Sequence, residues 1–196
     1  MGLLNIHILI ILVIVIILFV LFRYEKYEVT YVTSSIDKTP YLVRNLPDKQ
    51  QASDLLANIR NNIIILVEYI DQHKSDKYKQ YEQYITQLKE RIYDVIINES
   101  NEDNGYTSYS VNKGEQLVFC LRSKYNNKLY DINLLMYVVL HEMAHIASPT
   151  YGHGEPFKTI FAFLTKIAIE RGLYKKVDFN HIPVEYCGLL ITDSII

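Results

Sequence analysis

The chain has 196 residues with 20 basic and 22 acidic side chains, a formal net charge of −2. That balance leaves no electrostatic footprint for nucleic acid, and no basic run with interleaved aromatics is present. Two cysteines are too few for the disulfide framework of a small secreted domain, and the 17 tyrosines without a tryptophan read as drift in an A·T-rich genome more than as a binding surface.

Residues 3–22 carry no charge and are interrupted only by Asn5 and His7. Twenty residues at about 1.5 Å rise match a hydrocarbon core of about 30 Å, so this segment is expected to anchor the chain in a membrane as a single helix. A cleaved signal peptide is the competing reading. It is disfavoured because no basic stretch precedes the run, the run exceeds the usual signal core, and RYEKYEVTY offers no small-residue cleavage site. His7 reads as an interfacial residue. Arg23 and Lys26 follow the span, so the positive-inside tendency places the rest of the chain in the cytoplasm. Cys120 and Cys187 agree with that side if they are buried free thiols; pairing with each other is the alternative. The sequon Asn98-Glu99-Ser100 would matter only in a lumen.

Residues 23–47 read as a juxtamembrane stalk with a short strand at 29–32, and 48–196 as one domain with room for a sizeable core. Asp48 and Gln51 have capping-box spacing. They open a helix in which Leu55, Leu56, Ile59, Ile63, Leu66, Val67 and Ile70 recur at three and four. A second amphipathic helix is expected from about Asp76 to Ile97, with His73 in the polar turn before it. Residues 98–105 form an acidic, Asn-rich loop. YTSYSV and QLVFCLR are β-rich runs separated by Asn112-Lys113-Gly114-Glu115, the pattern of a hairpin with a four-residue turn. An extended peptide could add to this hairpin through backbone hydrogen bonds, with 116–121 as the expected edge, although an ordinary core hairpin fits as well.

Asp131 is a plausible N-cap for INLLMYVVL, an apolar run that continues into HEMAH. His141 and His145 stand four apart, so on a helix both imidazoles project from one face and can reach a single ion. Glu142 sits beside that face, placed to take a proton from an attacking water and pass it to a leaving amine. Ser148-Pro149 and Tyr151-Gly152 then break the helix and return the chain. His153, flanked by Gly152 and Gly154, is the expected third ligand; Glu155 and Glu170 are the alternatives. Three protein ligands leave a fourth position open, which marks a catalytic site and not a structural one. Zn2+ is the expected ion, although such a set accepts other divalent cations. Pro156 begins a further helix that ends near Arg171-Gly172. Tyr151 and Tyr186 are candidates to stabilise an oxyanion. His181 reads as a surface residue.

His141, Glu142, His145, Gly152, His153 and Phe157 together resemble the SprT-like and WLM-type zinc peptidases, in which the third His lies in a G-H-x-x-x-F context after the active-site helix. The resemblance implies an α+β minimal zincin fold in which Phe157 starts a supporting helix. YLVRNLPDK, SYSVNKGEQLVFCLRSK, LHEMAHIA and PVEYCG resemble uncharacterised WLM-like proteins of large DNA viruses, a likeness that covers nearly everything after the N-terminal segment. The loop between His145 and His153 is shorter than in typical SprT-like proteins, and no paired CxxC motifs follow, so a DNA-repair role is not carried over. The expectation is a membrane-anchored zinc peptidase acting on protein or peptide substrates. A non-catalytic membrane protein with a structural or partner-docking zinc site is the alternative, and Glu142 argues against it because a structural site has no use for that carboxylate.

Overall fold

A computed structural model describes residues 2–24, 28–102 and 107–196, with side chains described in the first of these from residue 6 to residue 20. Helix α1 runs Gly2–Tyr24, and its described side chains are all exposed. None of them belongs to the hydrophobic core. Among the described residues no helix is long and apolar enough to cross a membrane; Lys26 and the side chain of Arg23 lie outside them.

The folded unit begins inside the segment read as a stalk. Strand β1 (Val29–Thr33) pairs antiparallel with β2 (Pro40–Arg44), and Tyr41 and Val43 are buried in the core. Helix α2 (Lys49–Gln72) buries the apolar stripe expected of it, including Leu56, Ile59, Ile63, Leu66, Val67 and Ile70. Its cap differs from expectation. Asp48 makes no side-chain capping bond, because its carboxylate instead accepts from Arg122 Nη1 at 2.7 Å.

The second predicted helix is shorter than its periodicity suggests. A 3-10 turn at Lys79–Tyr81 leads into α3 (Glu82–Ile92), and the expected continuation to Ile97 is replaced by strand β3 (Ile96–Glu99). The β-branched pair Ile96-Ile97 suits a strand, and a parallel partner is available in β5 (Gln116–Phe119), with Ile96 opposite Gln116 and Glu99 opposite Phe119. Tertiary pairing outweighs helical periodicity here. The expected acidic loop therefore starts later, and Asn98 of the sequon is buried within β3. Residues 103–106 of that loop lie outside the described residues.

Strand β4 (Tyr109–Val111) pairs antiparallel with β5 in the expected hairpin. Gly114 has φ +116° in its turn, and a Cβ there would stand 3.1 Å from Arg91 Cβ and 3.3 Å from Ile146 Cγ2, so glycine lets the turn lie directly on α3 and on the helix that carries Ile146. The sheet order is β3-β5-β4. That corrects the expected edge: 116–121 belong largely to the central strand, and β4 is the edge.

Helix α4 (Ile132–Ala147) is buried on nearly every side, as an apolar-all-round helix must be. Asp131 caps it as expected, accepting from Asn133 N at 2.8 Å. Helix α5 (Glu155–Glu170) follows, with Pro in its first turn, and the chain turns at Gly172, φ +69°. The final segment, which carries no clear periodicity, forms a hairpin of β6 (Val184–Tyr186) and β7 (Leu189–Ile191). A disulfide joins Cys120, just past β5, to Cys187, which corrects the expectation of free thiols. The two residues stand 67 apart in sequence, and only the fold brings them together.

Candidate metal centre

One helix and the loop after it carry the three imidazoles to one point. His141 and His145 project from successive turns of α4, and His153 arrives from the short loop between α4 and α5. That loop is fastened at its start. Gln87 Nε2 donates to Ile146 O at 2.8 Å and Lys113 Nζ to Ser148 O at 2.8 Å, so both satisfy carbonyls left open at the helix end. Gly152, φ +78°, then turns the chain back so that its neighbour His153 faces the helix.

The Nε2 atoms of His141, His145 and His153 stand 3.1–3.2 Å apart in all three pairs. A neutral imidazole nitrogen is either a donor or an acceptor. In a triangle of such atoms, at least one pair must therefore be donor against donor or acceptor against acceptor. A cation shared by three lone pairs removes that conflict. Tetrahedral zinc with Zn–N near 2.0–2.1 Å sets its donors about 3.3 Å apart, so these residues fit the ion. Among the described residues, this is the one group of His, Cys, Asp or Glu ligand atoms close enough to hold a metal. Glu155 pairs instead with Lys158 on the exposed face of α5, and Glu170 with Lys77. His73 Nδ1 lies 2.8 Å from the Tyr69 carbonyl, and exposed His181 pairs with Asp178.

Burial and the neighbouring imidazoles push His141 down to about 3 and His145 down to about 4, so both are neutral and ready to coordinate at physiological pH. Phe157 packs against all three rings, with centroid distances of 4.9, 4.4 and 4.7 Å to His141, His145 and His153. Its place at the start of α5 is what the sequence resemblance implied.

Glu142 is only 5% exposed. Burial pushes its carboxyl up to about 7, against the backbone N–H of Ser110, which favours the charged form. Ser110 lies in β4, so the edge strand itself holds the carboxylate. Tyr186 is buried, with its hydroxyl 2.5 Å from Ser108 Oγ; Ser108 Oγ also accepts from Cys120 N at 3.0 Å. Tyr151, by contrast, is 88% exposed with Lys113 Nζ 4.5 Å from its ring centroid. Both tyrosines line the same cleft as the histidines and Glu142, a space of about 930 Å³ between β4, α4, α5 and residues 189–195.

Sequence reasoning missed Ser108, Ser110, Gln87 and the 189–195 wall. Their roles depend on contacts across 32 to 78 residues of chain, and no local motif announces them.

No family model matches the sequence. The chain is 43% identical over 167 residues to the uncharacterised protein R325 of Acanthamoeba polyphaga mimivirus, covering 85% of this chain and 84% of that one. It is 43% identical over 67 residues to the uncharacterised protein 042R of Invertebrate iridescent virus 3, a match spanning 34% of this chain and 42% of the relative. Among solved structures, the crystal structure of Wss1 from Saccharomyces cerevisiae aligns with a TM-score of 0.45 at 20% identity, over 64% of this chain and 85% of that one. Identity at this level across most of both chains, with the relatives drawn from the large DNA viruses that the sequence resembled, places the protein in the family of viral proteins that includes mimivirus R325.

Proposed function

We propose that this protein is a zinc-dependent peptidase held at a membrane by its N-terminal helix. The observation that carries the reading is the convergence of three imidazole nitrogens beside a buried carboxylate at the foot of an open cleft. A structural site would close the fourth position with a protein ligand, and among the described residues none is offered.

His141, His145 and His153 would hold the ion, which supplies Lewis acidity to the scissile carbonyl and to water. Glu142 accepts the proton from the attacking water. It then passes that proton on to the leaving amine. The β4 edge lies alongside the cleft, so an extended peptide can add to it through backbone hydrogen bonds, giving affinity with little dependence on sequence. The Tyr186 hydroxyl, oriented by Ser108, is the better placed of the two oxyanion candidates, because exposed Tyr151 is covered only by Lys113.

Support for the anchor comes from the sequence, in the uncharged run at residues 3–22, whose twenty positions at about 1.5 Å rise would match a hydrocarbon core of about 30 Å. Arg23 and Lys26 favour a cytoplasmic domain, whereas the Cys120–Cys187 disulfide favours an oxidising compartment. Protease protection in sealed vesicles separates these two placements.

The direct test is zinc content and casein cleavage by wild type, Glu142→Gln and His153→Ala. The reading expects about one zinc per chain in wild type and Glu142→Gln, cleavage only by wild type, and loss of zinc in His153→Ala. Equal zinc in all three proteins, with no cleavage by any, would refute it.

A further inference from the structure

We infer that residues 189–195 form one wall of a substrate pocket beside His141, and that the substrate places a bulky apolar side chain there. The inference rests on the peptidase reading and adds what the site selects. One turn of helix separates the residues concerned: Tyr137 stands four residues before His141 and Val138 three, so both lie on the face of α4 that carries the ligand. Phe161, one turn after Phe157 on α5, has its ring 5.3 Å from His141 and 5.2 Å from Tyr137. Tyr137, Val138 and Phe161 are themselves buried yet line the open cleft. They make an apolar floor next to the metal position.

Leu190, Ile191 and Ile195 line the same cleft. This wall is fixed, not frayed. The Tyr137 hydroxyl donates to Asp193 O at 3.1 Å and accepts from Ile195 N at 3.1 Å. Ser194 Oγ accepts from Phe179 N at 2.8 Å and donates to Val177 O at 3.1 Å. At the other end, the Tyr130 hydroxyl donates to Glu185 and accepts from Cys187 N at 2.6 Å, and the disulfide ties Cys187 to Cys120. Leu189 and Leu190 are nonetheless 63% and 60% exposed. Rigid, exposed apolar side chains on the rim of a cleft are what an apolar ligand group covers. Tyr109 and Ser110 of β4 line the same cleft, so a peptide added to that strand runs beside this floor and wall. Asp193, exposed on the rim, is the charged side chain of the wall, and a lysine-selecting pocket is the outcome it would produce.

The test uses the zinc-loaded full chain in detergent micelles and peptide hydroxamates identical except for one side chain: isobutyl, benzyl, methyl, carboxymethyl or aminobutyl. Affinities are measured by calorimetry on wild type, Leu190→Ser and Ile195→Ser. Since one methylene in an apolar pocket is worth roughly tenfold or more, isobutyl and benzyl compounds are expected to bind at least tenfold tighter than methyl. That isobutyl-to-methyl ratio is expected to fall at least threefold in both variants. The variants share the micelle, so partition into detergent cannot mimic that fall. Equal affinities across the series, a preference for aminobutyl, or ratios unchanged in both variants would overturn the inference and leave the metal site standing. If no hydroxamate binds to the zinc-loaded protein, the open-site reading fails and the inference falls with it.

Discussion

Replacing Glu142 by Gln in the metal-free protein should stabilise it, and only at high pH. The carboxyl ionises near 4.5 when free but is held up to about 7 by burial in the fold. Between those values the folded state keeps a proton that the unfolded state has lost, so stability falls as pH rises through the window. Below 4.5 the cost is absent, and above 7 it is complete. At about 1.4 kcal/mol per pH unit, the buried carboxylate costs about 3 kcal/mol at pH 8. Gln has nearly the same shape and no charge. His141 and His145 shift in the opposite sense, their folded values being depressed, but both proteins share them and they cancel in the difference. For a chain of this size about 3 kcal/mol corresponds to a Tm gain of about 6–12 °C. Calorimetric Tm values in excess chelator should therefore coincide at pH 4 and separate by that amount at pH 8. Added zinc should shrink the gap, because a cation beside the carboxylate favours its charged form. A gap that is the same at every pH, or a wild type more stable at pH 8, would refute the placement of Glu142 as a buried, protonatable base.

Other consequences follow from particular contacts. Arg122→Leu strands the buried Glu99, whose carboxyl receives Arg122 Nε at 2.7 Å, and should cost about 3–5 kcal/mol in urea titration; a loss below 1 kcal/mol would show the pair to be dispensable. Thiol titration in denaturant without reductant should find no free cysteine, and Cys120→Ser with Cys187→Ser should lower stability by about 2–4 kcal/mol. Two reactive thiols in the native protein would contradict the bridge. Phe157→Leu, which keeps most of the buried volume, should weaken zinc affinity about tenfold or more in competition with a chelating dye, whereas unchanged affinity would mean that the imidazoles are aligned without that ring.

What the sequence made legible was whatever rests on local chemistry. The HEMAH spacing, the Asp131 cap, the breakers after Ala147, Pro156 and Gly172 each act within a turn or two of chain, and the structure places them as read. What it concealed depends on distant partners. Residues 96–99 follow a helical stripe yet pair with β5. The capping-box spacing of Asp48 is overridden by a guanidinium 74 residues away. Glu99 looks like part of a solvated acidic loop until Arg122 and Arg44 N close on it. The site divides in the same way. The three histidines and Glu142 fall within thirteen residues, whereas the groups that hold that carboxylate and shape the cleft come from β4 and from 189–195.

X-ray absorption at the zinc edge of the metal-loaded full chain tests the central claim most directly. The account predicts three imidazole nitrogens at about 2.0–2.1 Å and a fourth light ligand that a hydroxamate displaces. His153→Ala should hold no zinc and give no such edge. Four protein ligands that no hydroxamate displaces, or any sulfur ligand, would contradict an open His141–His145–His153 site and with it the assignment of a peptidase.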